Sequence, residues 1–489
     1  MAIFITIKTE IMKGINNISK LASVFVGVAI FSISCNKIKD FGDTNVNPND
    51  ISNPITYAIL TGVETGVANW ANNGTAAVWI QYFSETQYPG NGLYAIPKNR
   101  FDFYYSSTGN NGGANSLLNL QTIIKANNNT EEVAVARILS QYIYWNMTDL
   151  WGDIPYSQAF KGTAPAYDKQ QDIYKGMIAE LKDARAQFTN SGALKGDIIY
   201  NGDVFKWKKF ANSLRAVMAL RLSKRFPGAG EYAATEFKAA IADGVIENNA
   251  DNCKLLYPGG DWKNPYWQAH DGARDNGESE HMFNLLSSFG DGRQAAFGSS
   301  SKAVPSGIKE ADINSWIKNN IDWSRAFNGI YRLETSPVVI MNASQVFLAR
   351  AEAADRGWTS EDFTVMYQNG IKASFDQWSL PAPSASYFAQ ANVALTAPAG
   401  TNANLKQIAT QRYLAAFPDG TQGWSEYRRT GYPAIAPAPA PLNPAHVTIP
   451  RRYIYDDIEF SLNPAGVTAA VANLPGGKNE QEARMWWDQ

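Results

Sequence analysis

Beyond position 54, apolar residues recur along most of the chain at three- and four-residue spacing, the period of an amphipathic helix. Ile173, Met177, Leu181, Ala184 and Phe188 form one stripe, and Asp168 followed by Gln171 reads as a capping box at its start. A second stripe runs Trp207, Phe210, Leu214, Val217/Met218 and Arg221/Leu222, and Pro227-Gly228 stops it. Glu131–Met147 is apolar on nearly every side, which predicts a helix inside the core. Further helices are expected near 55–72, 114–126, 229–243, 342–356, 361–377 and 403–417, while strand-like runs are few and short. Long irregular stretches rich in Gly, Asn, Pro and aromatics cover 84–113, 190–202, 250–307 and 379–401. Helix pairs joined by such loops indicate a mostly α superhelix that carries its function on the loops. The Pro/Ala tract 433–444 should be extended, as a spacer or surface strap. No boundary divides residues 54–489, so they are expected to form one domain.

The N-terminal segment breaks this pattern. Lys13 and Lys20 precede the apolar run Leu21–Ile33, which is shorter than the about 20 residues needed to cross a bilayer. Residues 1–34 read as an N-terminal extension and a lipoprotein signal peptide, with Met12 expected as the true start. Ser34-Cys35 at its end resembles a bacterial lipobox, so Cys35 is expected to be acylated, with 35–53 as a polar tether. The imperfection is Ser32, where Leu is usual; ordinary secretion with an incidental Cys is the alternative.

The composition, 45% hydrophobic and 18% charged, is that of a globular protein. A net charge of −2 excludes a strongly basic nucleic-acid footprint. Lys206, Lys208, Lys209 and Arg215 read as a solvated face of the helix carrying the second stripe. Three His and two Cys leave little material for a zinc or thiol site, and Cys253 reads as a buried small hydrophobe. The aromatic content is high, with 14 Trp, 23 Tyr and 23 Phe.

Four segments invite chemistry. In "TDLWGDIPY" (148–156), Asp149 and Asp153 could form a glycosidase pair, which needs carboxyls roughly 5–9.5 Å apart. A helix exit explains the stretch better: Gly152 frees the backbone, Ile154-Pro155 forces extension, and Trp151 and Tyr156 pack the turn. "HDGARDNGESEH" (270–281) is dense enough in oxygen ligands for Ca²⁺ but lacks EF-hand spacing, so a solvated acidic loop is favoured and no cofactor is expected. The segments 79–94 and 257–276 combine rings with Asn, Asp and Arg, the chemistry that stacks on sugar C–H faces and bonds hydroxyls. Trp79, Tyr82, Tyr88, Trp262, Tyr266 and Trp267 are the stacking candidates, and Asn91, Arg100, Asp271 and Arg274 the polar ones. Core packing is the competing reading for each ring.

Several blocks together resemble the SusD/RagB family of nutrient-binding lipoproteins, particularly its SusD-like branch. They are "ARILSQYIYWNMTDLWGDIPYSQAF" (136–160), "YDKQQDIYKGMIAEL" (167–181), "FKWKKFANSLRAVMALRLSKR" (205–225), "SQVFLARAEAADRGW" (344–358), "YLAAFPDGTQGWSEYRRTGYP" (413–433), "IPRRYIYDDIEFSLN" (449–463) and "RMWWDQ" (484–489). The resemblance implies a right-handed superhelix of four tetratricopeptide-like helix pairs framing long loops, with little β structure. It also implies a lipid-anchored outer-membrane protein facing the cell surface. Such a protein captures a nutrient, usually an oligosaccharide, for a SusC-like TonB-dependent transporter and catalyses nothing. The competing functions are a secreted carbohydrate-active hydrolase and a helical protein-binding scaffold.

Overall fold

In the computed structural model, the described residues are 54–489 apart from 98, 107–115, 191 and 193. Cys35, the signal segment and the tether lie outside them. The architecture is mostly α, in the helix-pair arrangement that the resemblance implies. Helix α1 (Thr56–Val67) and the short α2 (Gly74–Trp79) lead to α3 (Leu117–Ala126) and α4 (Thr130–Trp151). The four pairs are α4 with α5 (Gln170–Gln187), α6 (Val204–Arg221) with α7 (Tyr232–Ala242), α8 (Ala343–Asp355) with α9 (Phe363–Gln377), and α10 (Asn402–Ala416) with α11 (Gly420–Thr430).

Local sequence explains the ends of these helices. Asn129 caps α4 by accepting from the Glu131 and Glu132 amides at 2.9 and 3.1 Å. From Glu131 to Trp151 only Arg137 escapes full burial, as the all-round apolar pattern predicts. Gly152 ends the helix at φ 97°, which a side-chain-bearing residue rarely adopts. The expected capping box on α5 does not form. Asp153 supplies the cap instead, accepting from the Gln170 amide at 2.8 Å, while Asp168 bonds back to the Tyr156 and Ser157 amides. A capping box does form on α8, between Asn342 and Gln345. The pair α8/α9 packs closely because Gly370 has no side chain; a Cβ there would lie 2.6 Å from Leu348 Cγ.

The central contacts between pairs are ionic as well as apolar. Arg429 on α11 bonds both oxygens of Glu352 on α8 at 2.6 Å, and Glu426 at 2.7 Å. Arg412 on α10 forms a two-point contact with Glu426 at 3.0 and 2.8 Å. Arg221 on α6 lies 3.5 Å from Glu426 and 3.8 Å from Asp149 on α4. Arg215 corrects the solvated basic face: it is fully buried and pairs with Asp243 at 2.8 Å. Cys253 is buried, as expected.

The described strands are short and form two antiparallel ladders. In one, β1 (Phe83–Glu85) pairs with β3 (Asn276–Glu278), and in the other β2 (Cys253–Leu255) pairs with β4 (Val338–Met341). The stretch 250–307 is less irregular than its composition suggests, since it also holds the helix Glu280–Phe289. The Pro/Ala tract is a strap against the 81–94 loop: Gln81 Nε2 bonds the Ala436 carbonyl at 2.7 Å, and the Ala438 amide bonds Tyr94 Oη at 2.7 Å.

Candidate functional site

The β1/β3 ladder joins the two aromatic loop segments. Its register sets Glu85 opposite Asn276, and beyond it the Thr86 amide bonds the Asp275 carbonyl at 2.8 Å. Gln87 Nε2 donates to the Asp275 carboxylate. Facing this ladder is the turn Ala68–Asn72, followed by Asn73, whose side chain caps α2 through the Ala76 amide at 3.2 Å. The same oxygen accepts from the Tyr453 hydroxyl at 2.9 Å, which ties the turn to the C-terminal part of the chain.

Between these walls, the 3₁₀ turn Asp102–Tyr105 and the end of α4 lies an open cleft of about 470 Å³. Trp70, Trp151 and Tyr453 line it, the half-buried Tyr104 packs on Trp70 at 4.6 Å between centroids, and Tyr88 stands at the rim, 73% exposed. Amides dominate the polar lining: Asn69, Asn72, Asn73, Gln87, Asn91, Asn99 and Asn276. The ionisable lining groups other than tyrosine are the carboxylates Glu85 and Asp275; no described lining residue is basic. The Trp70 and Trp151 indole N–H groups and Asn276 Oδ1 have no hydrogen-bond partner within the protein. All three atoms are buried, so they are unsatisfied groups within the wall of the cleft and not part of its exposed surface.

Glu85 shapes the cleft wall. One oxygen accepts from Asn91 Nδ2 at 2.8 Å and the other from the Gly92 amide at 2.8 Å. Burial raises its pKa above the usual carboxylate value; these hydrogen bonds oppose the rise and the nearby Asp275 adds to it.

A family model described as starch-binding and associating with the outer membrane matches residues 48–456. The chain belongs to the SusD-like family. Among solved structures, a chitin-binding SusD homologue from Flavobacterium johnsoniae is 27% identical, with a TM-score of 0.76 over 89% of this chain and 97% of its own. A second chitin-binding protein is 26% identical, with a TM-score of 0.73 over 88% and 99% of the two chains. A SusD homologue from Bacteroides uniformis, at 22% identity and TM-score 0.74 over 89% and 99%, shares the fold. No curated protein matches the chain in sequence.

Of the ten ligand residues expected from sequence, Tyr88 and Asn91 line the cleft of this SusD-like protein. Three rings are corrected to core. Trp79 is 1% exposed and packs on Trp424 and Tyr453; its indole donates to the Asn91 carbonyl at 3.1 Å, so it braces the cleft wall from behind. Tyr82 is fully buried against Tyr413, and Tyr266 packs on Phe327 while donating to the Ala71 carbonyl at 3.2 Å, beneath the 68–72 turn. Outside the cleft, Trp262 packs on Tyr257 and Trp267 lies under Lys263. Asp271 pairs with Arg332 and Arg325, Arg274 is exposed, and Arg100 pairs with Asp102.

Neither aspartate of the 148–156 stretch faces the cleft. Asp149 is fully buried, bonded by the Tyr174 hydroxyl and by Ser425 Oγ at 3.3 Å, and burial raises its pKa. In 270–281, His270 packs on Phe83 and Glu278 is bonded by Ser324 and Gln294. Among the described residues no three His, Cys, Asp or Glu side chains come together as a metal site. The cleft rings that the sequence reading did not single out as ligand residues are Trp70, Tyr104 and Tyr453, together with Trp151, which was expected only to pack the turn. "NWANNG" (69–74), a tryptophan set among asparagines between two helices, was the signal for the first.

Proposed function

We propose that this protein is a cell-surface lipoprotein, anchored through Cys35, that captures an oligosaccharide in the 470 Å³ cleft and passes it to a SusC-like TonB-dependent transporter. One observation carries the binding reading: the open cleft is lined mainly by side-chain amides and aromatic rings, with no basic group among its described lining residues. Amides bond hydroxyl and acetamido groups without demanding charge, and rings shield sugar C–H faces. The cleft is open and largely preformed, which suits reversible capture. The chitin-binding relatives make N-acetylglucosamine oligomers the first ligands to try.

The protein binds and does not cleave. Both Glu85 oxygens are held by Asn91 and Gly92, a wall-shaping role. The reading requires no metal or cofactor. Calorimetric titration with chitohexaose, maltohexaose, cellohexaose and xylohexaose tests it, followed by prolonged incubation and product analysis. Saturable binding of one hexaose that Trp70→Ala weakens is the expected result. Product above background would make the protein a hydrolase, and no binding to any of the four would remove the cleft reading.

A further inference from the structure

On the far side of the Asp102–Tyr105 turn lies a separate pocket of about 260 Å³. Tyr104 faces the first cleft and Tyr105 this one. Its walls are Phe101, Tyr105, Phe160 and Tyr167, with neighbouring centroids 5.8–6.3 Å apart. Phe160 is held at φ 63°, a backbone region that bulky residues rarely occupy.

The polar groups here differ in how far they are committed. Tyr105 donates to the Pro155 carbonyl, and Asn463 bonds the Pro165 carbonyl at 2.6 Å and the Gly466 amide at 3.1 Å. Glu459 is 4% exposed; one oxygen accepts from the Tyr167 hydroxyl, while Oε1 has no partner. A buried carboxyl oxygen without a hydrogen-bond partner is costly, and a hydroxyl of a ligand or water can satisfy it in either protonation state. Arg100, paired with Asp102 and stacked on Phe103 at 4.4 Å, sets a positive charge at the edge. Burial together with Asp102 favours the protonated form of Glu459, against the Tyr167 bond. A neutral hydroxyl-bearing ring suits this environment better than a cation.

We infer that the pocket bounded by Phe101, Tyr105, Phe160, Tyr167 and Glu459 is a second sugar-binding subsite, sized for one or two neutral pyranose rings. The inference rests on the proposal that the protein binds glycans, but it concerns a surface that the first cleft does not use. Aromatic walls cover the C–H faces, and the Glu459 carboxyl shares a hydrogen bond with a ring hydroxyl through Oε1, donating when protonated and accepting when ionised.

Hydrogen exchange on the full chain reads the two sites separately, with and without each of the same four hexaoses. The expected result is slowed exchange at 101–105, 157–167 and 457–463 as well as at 69–91. Glu459→Gln, which keeps shape and volume, and Phe160→Ala should each reduce protection of 157–167 at least threefold while leaving 69–91 unchanged. Protection confined to 69–91 with every hexaose overturns the second subsite and leaves the proposed function standing. Protection of 157–167 that survives both substitutions also overturns it. No protection in either region overturns both.

Discussion

Replacing Arg429 with Met probes the ionic centre that holds the helix pairs, and with them the cleft walls, in place. Arg429 makes three charge-assisted contacts of 2.6–2.7 Å to Glu352 and Glu426, plus a 3.0 Å bond to Ser223 Oγ. Breaking a buried ion pair on one side costs roughly 3–5 kcal/mol. Here Glu426 keeps Arg412, and Glu352 keeps Arg356 at 2.9 Å, while the Met side chain retains much of the packing. The expected loss is therefore about 3 kcal/mol, within the roughly 5–15 kcal/mol of a native domain. Burial raises the Glu352 pKa, but Arg429, Arg356 and Arg412 outweigh it and hold it at about 2. A depressed carboxylate pKa contributes stability that is present above the unfolded value, near 4.5, and lost as pH falls through the folded one. The gap between wild type and Arg429→Met should therefore be full at pH 7 and narrow between pH 4.5 and 2. Urea unfolding followed by tryptophan fluorescence measures it. A gap below about 1 kcal/mol at pH 7, or one unchanged between pH 7 and 3, would refute the reasoning.

Four further outcomes are expected. Trp70→Ala should weaken cleft binding by roughly 2 kcal/mol, about thirtyfold, without loss of helical circular dichroism, because the ring lines the cleft. Trp262→Ala with Trp267→Ala should change the same titration by less than about 0.5 kcal/mol, since neither ring lines the cleft. Burial raises the Glu278 pKa to about 7 against bonds from Ser324 and Gln294; its contribution is present below pH 4.5 and lost as pH rises through 7. Glu278→Gln should flatten the stability profile over that window, by about 3 kcal/mol at most, as read by denaturation at pH 4.5 and 8. Cys35→Ala should abolish labelling by a palmitate analogue and release the protein from membranes; retained label would remove the anchor.

Helices were legible because their information is local. The 3.6-residue period, the caps and the stop signals put most helix bounds within a few residues of those observed, from Leu117–Ala126 to Asn402–Ala416. Where two acids stood near one helix start, the local rule chose wrongly: Asp168 fitted the capping spacing, but Asp153, 17 residues away, folds back to make the bond. Arg215 misled for the same reason, since a charged residue reads as solvated until Asp243 and Glu236 bury it.

The candidate site was only half legible. Composition marked 79–94 and 257–276 as ligand loops, and the β1/β3 ladder does bring them together. Which rings face outward was not encoded in either loop. Trp79 and Trp70 sit in neighbouring turns, yet one is sealed behind Asn91 and the other lines the cleft. That choice depends on Trp424 and Tyr453, more than 340 residues further on, filling the space behind Trp79. By itself the sequence determined the helices and the motif order of a SusD-like chain, because periodicity and motif order are properties of neighbours along the chain. Only the tertiary structure decided which side chains are core, which line the cleft and which are left without a partner, because burial is set by residues that meet only on folding.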